Sequence, residues 1–325
     1  MQNKTYTRLL QILGIIILLI FTFSFNFKET ADSLKKIDFF WIIVFIFFWF
    51  AIIFIKAILW KILVKNVAVV EISIVFAMVS VVAGISAGAF FPGRIDVARP
   101  LMLKKDYGVP LDTSLSAVIV EKVLFFTSLI LVFLFSSLYF ISSSYVDLAG
   151  LIYFSLLILL LFVFLLITDF KIIRWFFEKV VSIIPFSKRK KKIILNSVKE
   201  LLKTFKTIKN QKSTVTFSVL FFFLWLIDIV KIYSVFLALN IEIEIELIAF
   251  SYFASTVFGL ATLIPGGIGV SEVSQSIIIR NIDDSLDINL VNTAILVFRT
   301  IYYYTTILLG SVILIAFSSR PNEES

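Results

Sequence analysis

The sequence lacks cysteine and histidine altogether, and these two absences exclude several kinds of chemistry. Such a chain has no disulfide, no thiolate nucleophile, and no imidazole to act as a general base or a metal ligand. Its aspartates and glutamates form no dense cluster of the kind that holds a catalytic metal ion. We therefore expect no metal, no cofactor and no catalytic residues, so the protein is predicted not to be an enzyme.

Charge is also scarce. Charged residues make up 16% of the 325 positions, against about 25% in an ordinary soluble domain. Hydrophobic residues make up 60%, with 37 phenylalanines among them, and the mean hydropathy is +1.04. A soluble fold of this size buries only about three quarters of the surface that its chain exposes. The composition therefore predicts an all-α integral membrane protein, a bundle of several membrane-spanning helices.

The net charge is +8, because 30 lysines and arginines face 22 acidic residues. One interpretation is the usual excess of basic residues in cytoplasmic loops. The other is that basic loops lie against anionic lipid headgroups. Both place the charge at a membrane surface, so we do not expect nucleic acid as a partner.

Six apolar stretches are long enough to cross a bilayer, which takes about 20 residues in a helix. We predict spans at residues 9–25, 39–63, 113–140, 145–168, 217–239 and 290–317. Two further apolar stretches, residues 67–91 and 248–264, do not fit a simple count of crossings.

Loop charge sets the orientation, because lysine and arginine concentrate in cytoplasmic loops. Residues 169–216 are rich in lysine and include an unbroken basic run at 188–192, so this loop is predicted to be cytoplasmic. Residues 141–146 and 240–247 carry no basic residue and are predicted to be external. Both termini then lie in the cytoplasm, and we expect a multi-pass protein of the cell membrane.

The number of crossings requires the two extra stretches to turn back. Residues 67–91 lie between two basic, internal segments, and at 1.5 Å per residue they are too short for two full spans. We predict a re-entrant hairpin there from the cytoplasmic side, and a second one from the outside within residues 248–289. Broken hairpins that enter from opposite faces are typical of inverted-repeat transporters.

An internal repeat supports that arrangement. Proline, glycine, isoleucine and valine recur in register between residues 92–99 and 265–272. In residues 117–126 and 294–303, a cation follows the first alanine by five positions and two aromatic residues come next. The copies lie about 175 residues apart in both cases. We predict one domain over residues 1–325, with a first repeat at 39–140, a second at 217–317, and the basic loop at 169–216.

The two breaks are candidate binding elements. Their residues are Pro92 and Gly93 in the first, and Pro265, Gly266, Gly267 and Gly269 in the second. Proline lacks an N–H group and glycine permits positive φ, so each helix restarts with its N-terminus inside the membrane. Free N–H groups and the helix dipole favour an anion such as phosphate there, and Asp96 and Ser271 are suitable N-caps. The alternative is that the glycines only allow close helix packing, as Gly84 and Gly88 are expected to do.

Six charged residues near the breaks are candidates for substrate binding: Arg94, Arg99, Glu121, Lys122, Glu272 and Arg299. A guanidinium group suits two-point contact with phosphate, although an arginine near a membrane surface can also extend to the headgroups. A cation deeper in a span needs a partner, and we expect Glu121 and Glu272 to pair with Lys122 and Arg299. Such pairing is either part of a binding site or purely structural.

These motifs resemble a known family. Residues 91–99, Glu121-Lys122, residues 264–272 and Arg299 are similar to the transmembrane region of lysylphosphatidylglycerol synthase, also called the flippase-like domain family. In multiple peptide resistance factors this domain is thought to move aminoacylated phosphatidylglycerol between leaflets, and it precedes a soluble aminoacyl-transferase domain. Other members stand alone or accompany a membrane glycosyltransferase.

The chain departs from that pattern in two ways. No soluble catalytic domain follows residue 317, so the resemblance does not imply lysyl-lipid synthesis. Lys122 stands where arginine is expected after the glutamate, which keeps the charge but loses the planar fork for phosphate.

The resemblance and the residues together favour a lipid translocase. Its substrate would be an anionic or zwitterionic phospholipid, or a polyprenyl-phosphate-linked lipid, held by its phosphate headgroup. The first alternative is a non-catalytic partner of a separate glycosyltransferase or lipid synthase, with residues 188–212 as the contact face. The second, a membrane-embedded transferase or hydrolase, is disfavoured by the absences described above.

Overall fold

The structure is a computed structural model that describes residues 2–23, 25–91, 96–141 and 213–320. The predicted span at 145–168 and the basic run at 188–192 lie outside these residues, and so do Pro92, Gly93 and Arg94. In the described residues the regular structure is helical throughout, without a strand. The prediction of an all-α protein is confirmed.

Eleven α-helices are described. They are α1 (Gln2–Phe23), α2 (Phe27–Lys35), α3 (Phe39–Ala68), α4 (Ile74–Ala89), α5 (Ala98–Tyr107), α6 (Leu111–Ile141), α7 (Ser213–Ala238), α8 (Ile245–Ala261), α9 (Val270–Ile282), α10 (Ile288–Arg299) and α11 (Thr305–Ser318). A 3₁₀ turn, Pro265–Gly267, lies between α8 and α9. A π-helical segment, Thr300–Tyr304, joins α10 to α11.

Four of the described helical stretches are long and apolar enough to cross a membrane: Phe39–Ala68, Leu111–Ser137, Val219–Ala238 and Ile288–Ser318. They match four of the predicted spans. The first predicted span corresponds to α1, which is bent by 78° relative to α2, and the pair raises the number of spans to five if it is one broken crossing. The chain is thus a multi-pass membrane protein.

The two apolar stretches that did not fit the count contain short helices. Helix α4 has 16 residues and α8 has 17, whereas a full crossing takes about 20. Each ends just before one of the two breaks. Residues 67–91 contain the end of α3, a short non-helical stretch in which Val69 has a φ of 57°, and then α4. The re-entrant hairpin expected there remains a prediction. Gly84 serves close packing, as predicted, because a Cβ there would collide with the carboxylate of Asp96.

The chain divides into two compact units. The first contains Met1–Ala57, Met78–Ala98 and Leu224–Ser325, and the second contains Ile58–Ala77 and Arg99–Phe223. The internal repeats remain a prediction.

In the first unit, α8 packs against α9, and α9 also contacts α1 and α10. Its core includes the fully buried rings of Phe236, Phe250, Phe253 and Phe298. Helix α10 begins at an aspartate cap, since the carboxylate of Asp287 accepts from the N–H groups of Asn289 and Leu290 at 2.8 and 3.4 Å. This cap fixes the start of the helix that ends at Arg299.

In the second unit, Trp60, Leu63 and Val120 are fully buried. The rings of Phe125 on α6 and Phe221 on α7 meet edge to face, with centroids 6.2 Å apart. Aromatic and branched side chains thus form this core as well.

Candidate functional site

The second break takes the form that its glycines predict. Gly266, Gly267 and Gly269 have φ values of 68°, 65° and 81°, a region that other residues occupy only with strain. Pro265 occupies the first position of the turn, where its missing N–H group costs nothing. Pro265, Gly266 and Gly267 are buried, so this irregular backbone is enclosed by protein, as non-helical structure in a membrane must be.

The N-cap of α9 is Gly269 and not Ser271. The prediction for Ser271 is wrong because the chain needs a positive φ where the helix restarts, and Ser271 then falls inside the first turn. At the first break, an Asp96 carboxylate oxygen accepts from the N–H group of Ala98, the first residue of α5, at 3.1 Å. Asp96 thus hydrogen-bonds the start of the helix, although Val97 and not Asp96 directly precedes it.

Helix α1 closes over the second break. A Cβ at Gly14 would lie 2.7 Å from Ile264 Cγ2 and 2.9 Å from the Ile268 carbonyl oxygen. From the other side, a Cβ at Gly269 would lie 2.6 Å from the Gly14 carbonyl oxygen. The predicted repeats do not include the first span, and the sequence gives no sign of this contact because Gly14 is an ordinary residue of an apolar run.

A buried ion pair lies beside the break. Arg299 Nε donates to Glu272 Oε1 at 2.7 Å, and the Tyr304 hydroxyl donates to the same oxygen at 3.1 Å. The Arg299 guanidinium also lies 4.6 Å from the centroid of the Tyr303 ring. Glu272 is 1% exposed and Arg299 is 7% exposed. The predicted pairing of these two residues is confirmed, while their role in binding remains a prediction.

Four polar atoms of this pair and of the first two turns of α9 are buried without a hydrogen-bond partner among the described residues. They are Ser271 Oγ, Glu272 Oε2, Gln275 Nε2 and Arg299 Nη2. A buried polar group left unpaired costs about 1–3 kcal/mol, and a charged one costs more. Donors and acceptors are both present, so a polar ligand offering both kinds of group would satisfy them. We call these four residues the α9 polar cluster.

Gln275 was not among the residues singled out from the sequence. A signal was available, since Ser271 and Gln275 are polar and four residues apart, which puts them on one face of a helix. The candidates chosen from the sequence were charged residues and helix breaks, and the uncharged amide of Gln275 is neither.

Replacing Gln275 with methionine is expected to raise the free energy of unfolding by about 1 kcal/mol, because it removes an unpaired buried amide at similar volume. Thermal unfolding in detergent measures the change. Asn281→Met, at an exposed position near the end of the same helix, is the control and should stay within about 0.5 kcal/mol of wild type. A clear loss of stability in Gln275→Met would show that the amide is hydrogen-bonded after all.

The second unit contains another buried arginine–glutamate pair. Arg99 Nη1 and Nη2 donate to the two carboxylate oxygens of Glu121, the second at 3.1 Å. The guanidinium lies 4.3 Å from the centroid of the Trp60 ring, and Arg99 is 3% exposed. Arg99 is thus held inside the protein by Glu121 and Trp60.

The prediction that Glu121 pairs with Lys122 is wrong. Adjacent residues of a helix point in different directions, and the Lys122 ammonium lies 5.8 Å from the centroid of the Phe125 ring. Glu121 is instead held by Arg99, which comes from the helix after the break.

The two pairs are related in a way that the motif alignment indicates. Arg99 and Glu272 both stand seven residues after the proline of a break. Each pairs with a residue of the next helix, and each arginine lies against an aromatic ring. The order of charge is reversed, because the residue after the break is basic in one unit and acidic in the other. Among the described residues, no group of three acidic side chains offers a metal site.

The chain is similar to known membrane proteins. The lysylphosphatidylglycerol synthase TM region family matches residues 9–310. The chain belongs to this family. A UPF0104 membrane protein of Methanocaldococcus jannaschii is 28% identical over 220 residues, which cover 67% of this chain and 87% of that protein. A UPF0104 membrane protein of Pyrococcus horikoshii is 29% identical over 126 residues, 38% of this chain and 37% of that protein. No solved structure matches the chain.

Proposed function

We propose that this member of the lysylphosphatidylglycerol synthase TM region family is a lipid translocase of the cell membrane. It would carry the headgroup of an anionic or zwitterionic phospholipid, or of a polyprenyl-phosphate-linked lipid, from one leaflet to the other. The α9 polar cluster is the observation on which this proposal rests.

The chemistry of the cluster suits a phosphate-bearing headgroup. Arg299 Nη2 and Gln275 Nε2 are donors without a protein partner among the described residues, and charge-assisted donation to phosphate oxygens is strong. Glu272 Oε2 is an acceptor for a hydroxyl or ammonium group of the same headgroup. Ionisable residues inside a membrane protein commonly mark a substrate pathway, because they are costly to keep there.

The backbone around the cluster supports movement of a headgroup through the bilayer. We propose that α8, the turn at Pro265–Gly267 and α9 form a re-entrant hairpin from the outside, and that α4 and α5 form its counterpart from the cytoplasm. Both termini would then be cytoplasmic. Arg94, Arg99, Glu121 and Lys122 would serve the first repeat as Glu272 and Arg299 serve the second.

A transport role for these residues is simpler than a catalytic one. Glu272 already accepts hydrogen bonds from Arg299 and Tyr304, which suits a binding group better than a nucleophile or a general base. The alternative role as an anchor for a glycosyltransferase or synthase depends on residues 188–212, which lie outside the described residues.

Leaflet exchange in proteoliposomes tests the proposal. The purified protein is reconstituted with phosphatidylglycerol labelled on an acyl chain, and the label reaching the outer leaflet is followed by chemical quenching. Wild type should accelerate exchange. Arg299→Ala and Glu272→Gln should slow it at least about tenfold, because a lost charged hydrogen bond costs about 1.5–3 kcal/mol.

Matched controls separate binding from general effects of charge. Arg280→Ala removes an exposed arginine of α9 and Glu246→Gln an exposed glutamate of α8, and both should stay within about twofold of wild type. Gln275→Met keeps the ion pair and should also slow exchange, so a folding defect is not the cause. Equal rates for wild type, Arg299→Ala, Glu272→Gln and Gln275→Met would contradict the proposed site. Lipid turnover by the protein in detergent, where no leaflets exist, would indicate an enzyme instead.

A further inference from the structure

A second buried pair of opposite charges lies in the first unit, outside the α9 polar cluster. On α7, the Lys231 ammonium donates to the carboxylate of Asp228, three residues earlier. Lys231 is 0% exposed and Asp228 is 3% exposed. The two residues lie three apart on one face of the helix, so their charges offset each other.

The surroundings of Lys231 are mainly aromatic. Its ammonium nitrogen lies 3.3 Å from the centroid of the Tyr302 ring and 5.5 Å from that of Phe298. Among the described residues, the charged or titratable groups that face it are Asp228 on α7, Lys56 on α3 and Tyr302 itself. Its contacts with the Asp228 carboxylate and the Tyr302 ring both depend on its positive charge.

One short segment connects this pair to the α9 polar cluster. Tyr302 belongs to the π-helical segment Thr300–Tyr304, which begins directly after Arg299. Tyr303 and Tyr304 of the same segment contact Arg299 and Glu272. Single π-helical turns within longer helices are frequent at functional sites. A change of charge on Lys231 therefore acts on the segment that also holds the proposed headgroup site.

The choice of lysine is informative. The two buried pairs described above use arginine, which keeps its proton in proteins. Lysine in a buried position gives up its proton far more readily. A pair needed only for packing does not require a releasable proton, and replacing both partners by apolar residues is often neutral or stabilising.

We propose that Lys231, paired with Asp228, is a proton-binding site that couples lipid translocation to a pH gradient. In one state the lysine is an ammonium ion, held by Asp228 and Tyr302. In the other state its N–H bond has broken, the proton has passed to water on one side of the membrane, and the neutral amine later takes a proton from the other side. One proton moving with one anionic phosphodiester headgroup leaves the transport step electroneutral. This inference rests on the proposed translocase function.

The test uses the proteoliposomes and acyl-labelled phosphatidylglycerol described above. The two sides are set two pH units apart, and potassium with valinomycin holds the membrane potential at zero. The steady-state distribution of label between leaflets is measured, and a trapped pH dye follows lipid-dependent proton movement. A passive translocase gives equal leaflets. A carrier that moves one proton per lipid shifts the ratio by at most about 100-fold, because each pH unit is a factor of ten in proton activity.

Three variants make the test specific. Asp228→Asn/Lys231→Met removes both charges and should exchange lipid at equal pH, yet give equal leaflets and no lipid-dependent proton movement under the gradient. Lys231→Arg keeps the ion pair with Asp228, but arginine does not release its proton. This variant should therefore also lose the response to the pH gradient. Asp32→Asn/Lys35→Met removes an exposed pair with the same three-residue spacing on α2, and it should respond like wild type.

The outcomes separate the two proposals. If wild type exchanges lipid at equal pH but shows equal leaflets under the gradient, the coupling is wrong and the translocase function stands. A full gradient response in both Lys231 variants would show that the proton binds elsewhere. If wild type does not exchange lipid at all, the proposed function fails and this inference fails with it.

Discussion

Replacing Arg299 with alanine is expected to lower the free energy of unfolding by about 3–5 kcal/mol, the usual effect of breaking a buried ion pair by removing one partner. Glu272, which is 1% exposed, would be left as a carboxylate without a cation, and among the described residues only the Tyr304 hydroxyl would donate to it. Unfolding in detergent, by heat or denaturant, measures the loss. Arg280→Ala, an exposed arginine on α9, should change stability by no more than about 0.5 kcal/mol.

A double variant distinguishes the energy of the pair from the cost of a stranded charge. Glu272→Gln/Arg299→Met removes both charges together, and it should recover most of the stability that Arg299→Ala loses. Because it also dismantles the proposed headgroup site, lipid exchange should remain slow. If Arg299→Ala proved as stable as Arg280→Ala, Glu272 would have to be solvated or otherwise partnered, and the description of the α9 polar cluster would be wrong.

The second break could be predicted because its determinants are local. Proline and closely spaced glycines interrupt an apolar helix wherever they occur together, and Gly266, Gly267 and Gly269 have the positive φ values that this pattern requires. The pairing of Glu272 with Arg299 was predictable too. A buried arginine needs an acidic partner, and few acidic residues lie in apolar segments of this sequence.

Glu121 shows why the same reasoning failed in the first predicted repeat. Its neighbour Lys122 looks like the obvious partner in a one-dimensional sequence, but adjacent helical residues are rotated by about 100° and do not face each other. Arg99, 22 residues earlier, reaches Glu121 only once α5 and α6 have packed. Separation along the sequence is therefore a poor guide to contacts that form through tertiary packing, and the missed contact of Gly14 has the same origin.

The predicted hairpin within residues 67–91 shows another limit of sequence patterns. Hydropathy indicates that residues 67–91 are apolar and too short for two spans, but it does not locate a turn within them. Gly84 and Gly88 were expected to allow close packing, and not to form a turn. In the structure Gly84 lies inside a continuous helix, where its missing side chain makes room for Asp96. A glycine that permits close packing and one that permits a turn are indistinguishable until the neighbouring backbone is known.

Gly269→Ala is the second substitution expected to have a large effect, and it acts through two additive causes. The residue has φ of 81°, and a side chain in so rarely populated a conformation costs about 1–3 kcal/mol. The new Cβ would also lie 2.6 Å from the Gly14 carbonyl oxygen and 2.8 Å from the Leu18 backbone nitrogen. Those are backbone atoms of α1 that cannot rotate away, and overpacking costs about another 1–3 kcal/mol.

Gly108→Ala separates the two causes. Gly108 has φ of 66°, but nothing lies within 4 Å of the position its Cβ would take. It should therefore show the conformational cost alone. When both variants are unfolded in detergent, Gly269→Ala should be the less stable by the roughly 1–3 kcal/mol that overpacking costs. Lipid exchange should fall only in Gly269→Ala, because only there does the new side chain push α1 away from the break. Equal losses of stability would mean that α1 moves aside freely, so that its contact with Gly269 would not hold the start of α9 in place.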